Sequence, residues 1–120
     1  MPKLIHSLEG ALLRNYPLSQ GKIRFGRRSD NDIQLDDLAV SGRHAIITIT
    51  ESPYMKGLLD CRLEDLGSTN GTLVNGRAIR KPCLLKHMDI VKIGTHELCF
   101  IDEKAMDFES TRILIRDDGN

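Results

Sequence analysis

Two Asn-Gly pairs, Asn70-Gly71 and Asn75-Gly76, flank the short run Thr72-Leu73-Val74. Asn-Gly supplies two neighbouring residues that tolerate positive φ, as a tight hairpin turn demands. So few residues between two reversals leave no room for a helix. The stretch therefore reads as a loop, a very short strand and a second turn. The loop itself, Asp65-Leu66-Gly67-Ser68-Thr69-Asn70-Gly71-Thr72, is dense in small hydrogen-bonding groups: Ser68, Thr69, Asn70, Thr72 and the Gly71 N–H. Such a cluster suits the grip of an extended polar ligand. It equally suits two ordinary turns of a β-sandwich.

The rest of the chain repeats the strand-and-turn rhythm. Lys3–Leu8 and Ala11–Tyr16 form an expected hairpin around Glu9-Gly10, and Lys22–Phe25 alternates polar and apolar residues, the period of a half-buried strand. Ser29-Asp30-Asn31-Asp32 is a polar turn. Ile33-Gln34-Leu35 is a short strand, followed by a second loop, Leu38–Arg43. His44–Thr50 is the clearest strand, with Ala45, Ile47 and Ile49 on one face. Leu58–Leu66 resumes alternation, with Leu59, Cys61 and Leu63 on one side. Arg77–Arg80, Asp89–Ile93 and His96–Ile101 are three more short strands, the last two joined at Gly94-Thr95. About ten short strands separated by turn signals argue an all-β chain folded as a two-sheet β-sandwich.

Composition removes several function classes. At 120 residues the chain is one domain with room for a core. Lys and Arg number 17 and so do Asp and Glu, so no overall field favours nucleic acid or an acidic membrane. Attraction for an anion has to be local. Tryptophan is absent, which weakens a base-stacking reading. No apolar run approaches the ~20 residues of a membrane span, and the N-terminus lacks the long apolar core of a signal peptide. Cys61, Cys83 and Cys99 are odd in number and widely spaced, without a C-x-x-C. Neither a zinc site nor a disulfide frame is suggested, and a reducing, cytoplasmic setting is expected. There is no P-loop, nucleotide fingerprint, metal-ligand pair or nucleophile motif. No catalytic residue, metal or cofactor is therefore expected.

Two upstream pieces give the loop its context: Phe25-Gly26-Arg27-Arg28 and Val40-Ser41-Gly42-Arg43-His44-Ala45. Gly-Arg, then Ser-x-x-His, then Ser-Thr-Asn-Gly-Thr, then Asn-Gly, in this order over about fifty residues, resembles the forkhead-associated (FHA) domain. The resemblance covers roughly Leu4 to Ile101. It implies an eleven-stranded, two-sheet FHA/SMAD-like sandwich over residues 1–102, followed by a charged tail at 103–120. It also implies phosphothreonine-dependent binding of a protein or peptide, in an adaptor or regulator acting downstream of a serine/threonine kinase.

Residues like Arg27, Ser41 and Thr69 bind the phosphate in that family, and the Asn at position 70 holds the peptide backbone. Their chemistry fits. A phosphate ester carries about −1.5 to −2 charges and three strong acceptor oxygens, and a guanidinium engages two of them at once. The position after the motif serine is often Asn, Lys or Arg in the family and helps hold the phosphate; here it is Gly42, which keeps only its N–H. Arg43 and Arg28 are the side chains at hand to compensate. The alternative is a phosphate-independent interaction module that keeps the fold. Gly26, His44, Gly71, Asn75 and Gly76 are expected to brace the loops, and Asp65 to hold a turn.

Other features have plainer readings. His6, His87 and His96 have no ligand spacing and are expected at the surface or half-buried. Cys61 and Cys99 read as core. Arg77, Arg80 and Lys81 form a basic edge, solvated by default yet placed to read acidic residues of a peptide. In the tail, Thr111 is a candidate kinase site, and its phosphorylated form is expected to link two otherwise monomeric chains. An extra strand at Ile113-Leu114-Ile115, or plain disorder, is the competing reading.

Overall fold

The computed structural model describes residues 2–103. Thr111 and Ile113-Leu114-Ile115 lie outside the described residues. Eleven strands run in order: β1 Lys3–Leu8, β2 Ala11–Pro17, β3 Gly21–Gly26, β4 Ile33–Gln34, β5 Ala45–Glu51, β6 Leu59–Asp65, β7 Leu73–Val74, β8 Arg77–Ala78, β9 Cys83–Leu84, β10 Ile90–Ile93 and β11 His96–Ile101. They form a six-stranded sheet, β2-β1-β11-β10-β7-β8, and a five-stranded sheet, β4-β3-β5-β6-β9. Among the described residues no helix is long and apolar enough to cross a membrane.

Two of the hairpins are written locally. Leu8 pairs with Ala11 across Glu9 and Gly10, at φ 51° and 83°. Val74 pairs with Arg77 across Asn75 and Gly76, at φ 52° and 84°. Positive φ at both central residues is what the twist of a two-residue hairpin needs. The other Asn-Gly pair behaves differently: Gly71 takes φ 84° while Asn70 stays out of the left-handed region. It ends a loop rather than forming a hairpin. β9 has no sequence signature. Cys83 and Leu84 are a strand because they pair with Leu63 and Arg62 of β6.

Alternation sends Leu4, Leu98, Phe100, Val91 and Ile93 of one sheet against Phe25, Ala45, Ile47, Ile49, Cys61 and Leu63 of the other. Each aliphatic or aromatic side chain so buried contributes about 1.5–3 kcal/mol relative to exposure. Cys99 is not core: it is half-buried, opposite Ile90 and Ile5 on the outward face of the larger sheet. His6 and His96 are not surface residues either. Both are nearly inaccessible on the inward faces of β1 and β11, and their imidazoles hydrogen-bond, Nε2 to Nδ1, at 2.8 Å. They are ninety positions apart, so no local pattern could pair them.

Phe25, Ala45 and Asp65 stand side by side at one end of β3, β5 and β6. The three loops that leave there therefore emerge together. A cleft of about 380 Å³ between Pro2, Glu51, Leu58 and Asp102 lies at the opposite end. No group of three or more potential metal ligands occurs among the described residues.

Burial, and then the neighbouring His96, lowers the pKa of His6 below its ordinary 6.5. The unfolded chain then takes up a proton that the folded one resists. The contribution of neutral His6 is complete above the unfolded value and is lost as pH falls through the lowered one. Thermal melts between about pH 7.5 and pH 5 should show stability falling with pH, with a shallower slope in His6→Leu. An unchanged slope in that variant would contradict the assignment.

Candidate functional site

Gly26 is where two of the loops touch. A Cβ on Gly26 would lie 2.2 Å from the Gly42 carbonyl oxygen and 2.7 Å from Asn31 Nδ2, so no side chain fits while the loops keep their contact. The contact is a short ladder: the Arg27 N–H donates to Ser41 O at 3.0 Å, and the Arg28 N–H to Gly42 O at 3.3 Å. Asn31 clamps it from beneath, its Nδ2 donating to Arg28 O at 2.9 Å and Gly42 O at 2.7 Å. Asn31 is buried, and its Oδ1 has no partner. A flipped amide would set oxygen against two carbonyls, so one unmet acceptor is the lesser cost. The sequence shows Asn31 only as part of a polar turn; its clamp role depends on a loop eleven residues away.

His44 ties the second loop to the third. Its ring is fully buried; Nδ1 accepts the Ser41 N–H at 3.0 Å, and Nε2 lies 2.8 Å from the Gly71 carbonyl. An acceptor at Nδ1 and a carbonyl at Nε2 together select the Nε2–H tautomer. The consequence is felt at Ser41 and Thr69. The Thr69 N–H donates to Ser41 Oγ at 3.0 Å, so that N–H is committed within the protein rather than open to a ligand. A hydroxyl that accepts one bond still has its own proton to donate. Asn70 crosses the same gap, its Nδ2 donating to Ala39 O at 2.8 Å, with its Oδ1 left to accept.

Asp65 shapes the third loop. Its carboxylate accepts the Gly67 and Ser68 N–H groups, each at 3.0 Å, together with the Ser68 and Thr72 hydroxyls. Burial pushes this carboxyl up, but the hydrogen bonds from Ser68 and Thr72 outweigh it and hold it below its ordinary value. Asp65 is thus spent on the turn. Asn75 is likewise spent, its amide bonding Asp89 Oδ1 and the Ile90 N–H. Asp37, unremarked in the sequence, ties the second loop to the β10–β11 turn. It accepts the Thr95 hydroxyl at 2.7 Å and the Thr95 and Ala39 N–H groups, and these bonds draw its carboxyl down to about 2.

Arg27, Arg28, Arg43 and Asp30 stand on the first two loops. Arg43 Nη2 donates to Asp30 Oδ2 at 2.7 Å, while Arg28 Nε lies 3.6 Å from Asp30 Oδ1. Arg27 is exposed and makes no ion pair among the described residues. Among these four, three cations face one carboxylate, in a chain with no net charge. Beside it, Arg80 and Lys81 line a cleft of about 280 Å³ with Glu64, Asp65 and Gly67. The loops thus bring Arg27, Ser41, Gly42, Thr69 and Asn70 to one rim, with Gly26, His44 and Gly71 beneath. Asn75 and Gly76 shape the neighbouring hairpin.

Known proteins share this family and fold. The model of the FHA domain family matches residues 23–94. The transcriptional regulatory protein EmbR of Mycobacterium tuberculosis is 39% identical over 87 residues, covering 72% of this chain and 21% of its own. The oxoglutarate dehydrogenase inhibitor of Corynebacterium efficiens is 38% identical over 84 residues, 70% of this chain and 54% of its own. The chain thus spans about a fifth to about half of these relatives. Among solved structures, M. tuberculosis EmbR in complex with a low-affinity phosphopeptide aligns at TM-score 0.68 and 34% identity, covering 83% of this chain and 24% of that one. The FhaA FHA domain, complexed with the intracellular domain of Rv3910, aligns at TM-score 0.68 and 30% identity, covering 83% and 99%.

Replacing His44 by Phe keeps the buried ring but strands the Ser41 N–H and the Gly71 carbonyl. At ~1–3 kcal/mol for each unmet group, His44→Phe should lose about 2–6 kcal/mol of stability in urea unfolding. A loss below about 0.5 kcal/mol would show that the imidazole is not what joins the loops.

Proposed function

The chain belongs to the FHA domain family, and we propose that it is a phosphothreonine-dependent binding module. In this reading it performs no chemistry of its own and acts as adaptor or regulator downstream of a serine/threonine kinase. One observation carries most weight. The Ser41 hydroxyl, anchored by the Thr69 N–H, has its proton free at a rim where Arg27 lacks an acidic partner among the described residues. A phosphate ester brings about −1.5 to −2 charges and three acceptor oxygens, and a planar guanidinium takes two of those oxygens at once. A hydroxyl donor and a free arginine on one rim match that ligand.

Each residue then has a role. Arg27 and Ser41 hold the phosphate, with the Gly42 N–H and the Thr69 hydroxyl alongside. Asn70 Oδ1 accepts a main-chain N–H of the bound peptide. Threonine is preferred over serine by a methyl contact, which is worth only roughly 1–3 kcal/mol. Arg80 and Lys81, at the neighbouring cleft, suit acidic residues flanking the phosphothreonine. The competing reading, a phosphate-independent interaction module, is favoured by Gly42 alone.

Calorimetric titration with a degenerate phosphothreonine peptide library separates the two. Removing a charge-assisted contact of about 1.5–3 kcal/mol means Arg27→Ala should weaken binding at least about ten-fold. The unphosphorylated library should not bind, and affinity should fall as salt is raised. Equal binding of both libraries, or indifference to Arg27→Ala, would favour the phosphate-independent module.

A further inference from the structure

We infer that Arg28, laid across Gly42, supplies the second phosphate-contacting cation of this site, and that Asp30 is a placeholder anion for it in the free protein. The inference rests on the phosphothreonine reading above.

The first argument is steric. Position 42 directly follows Ser41, and as glycine it presents no side chain to a ligand there. The space is not empty. A Cβ at Gly42 would lie 3.1 Å from both Cγ and Cδ of Arg28. The arginine stem therefore covers the spot from which a side chain of residue 42 would start. The backbone holds it in place. Arg28 N–H donates to Gly42 O, and the buried Asn31 amide grips the carbonyl oxygens of Arg28 and Gly42 together. The origin of the Arg28 side chain is thus fixed against Gly42, and only its outer half is free to move.

The second argument distinguishes Arg28 from Arg43. Arg43 is committed, with a short direct hydrogen bond to Asp30 at 2.7 Å. Arg28 approaches the same carboxylate no closer than 3.6 Å, beyond hydrogen-bonding distance, and its side chain is 64% exposed. Its donors are therefore available. A solvent-exposed ion pair of that kind holds only weakly. An arriving phosphate carries more charge and more acceptors than the Asp30 carboxylate. It should draw the Arg28 guanidinium away while Asp30, still anchored to Arg43, stays behind. Asp30 then keeps the guanidinium from wandering in the free protein, and its charge opposes the ligand.

The test is the change in Kd, by calorimetry, for the same degenerate phosphothreonine library. Arg28→Ala should weaken binding about ten-fold, with an unchanged melting temperature, and Arg43→Ala should weaken it less. Arg28→Ala also removes the only atoms within 4 Å of a Cβ at Gly42, whose φ lies outside the left-handed region, so a side chain can start there. The double variant Arg28→Ala/Gly42→Arg should then recover most of the lost affinity. Asp30→Asn should bind more tightly than the unaltered protein. Binding indifferent to Arg28→Ala, a loss that Gly42→Arg does not recover, or weaker binding in Asp30→Asn would each overturn the inference. If Arg27→Ala abolishes binding while Arg28→Ala does not, this inference fails and the phosphothreonine reading stands. If the unaltered protein shows no phosphate dependence, both fail.

Discussion

The fully buried His44 imidazole accepts one hydrogen bond from the Ser41 backbone and gives one to the Gly71 carbonyl. The ring ties two loops together from within, beneath the bonds that Thr69 makes to Ser41 and Asn70 to Ala39. Ser41 and Thr69 meet, hydroxyl to N–H, on the outside. The rim is thus an indirect product of a bond made beneath it. Gly26 imposes the matching constraint on the first loop, because only the lack of a Cβ lets it touch the Gly42 carbonyl. A site of this kind needs no reacting group. It needs donors held at fixed separations by groups that do not themselves touch the ligand.

Much of the frame is legible in the sequence because it is encoded locally. Alternation marks β5 and β6, and paired positive-φ residues mark the hairpins at Glu9-Gly10 and Asn75-Gly76. The FHA resemblance adds the strand count and the identity of the loops that meet. Features made by pairs distant in sequence are not legible. β9 exists only through β6, His6 and His96 meet across ninety positions, and Asp37 finds Thr95 fifty-eight residues away. Asn31 escapes notice for another reason: in a run of Ser, Asp, Asn and Asp, a buried clamp and a solvated turn look alike. The two Asn-Gly pairs read identically and fold differently, since Asn70 is turned to bond Ala39 while Asn75 sits in a true two-residue turn.

Under the proposed function, electrostatics account for how a chain without net charge would select an anion. Three arginines stand at one end against Asp30, and two nearby acids are already engaged: Asp65 by the third loop and Asp37 by the β10–β11 turn. These two carboxylates keep their charge, but they are held by neutral donors and leave the arginines unpaired by them. Mixed charge of this kind makes a field that is short-ranged, and over a Debye length of about 8 Å at physiological salt it fades. Such a field favours a compact, multiply charged group delivered to the rim and offers little to a long polyanion. That is the electrostatic profile of a phosphorylated side chain on an extended peptide.

Backbone amide shifts followed by NMR during titration with a phosphothreonine peptide library would test the central claim most directly. The account predicts that the largest shifts fall on Arg27, Arg28, Ser41, Gly42, Thr69 and Asn70, and that they vanish with the unphosphorylated library. Phosphate-independent shifts, or shifts centred on the outward face of the larger sheet and sparing these loops, would contradict it.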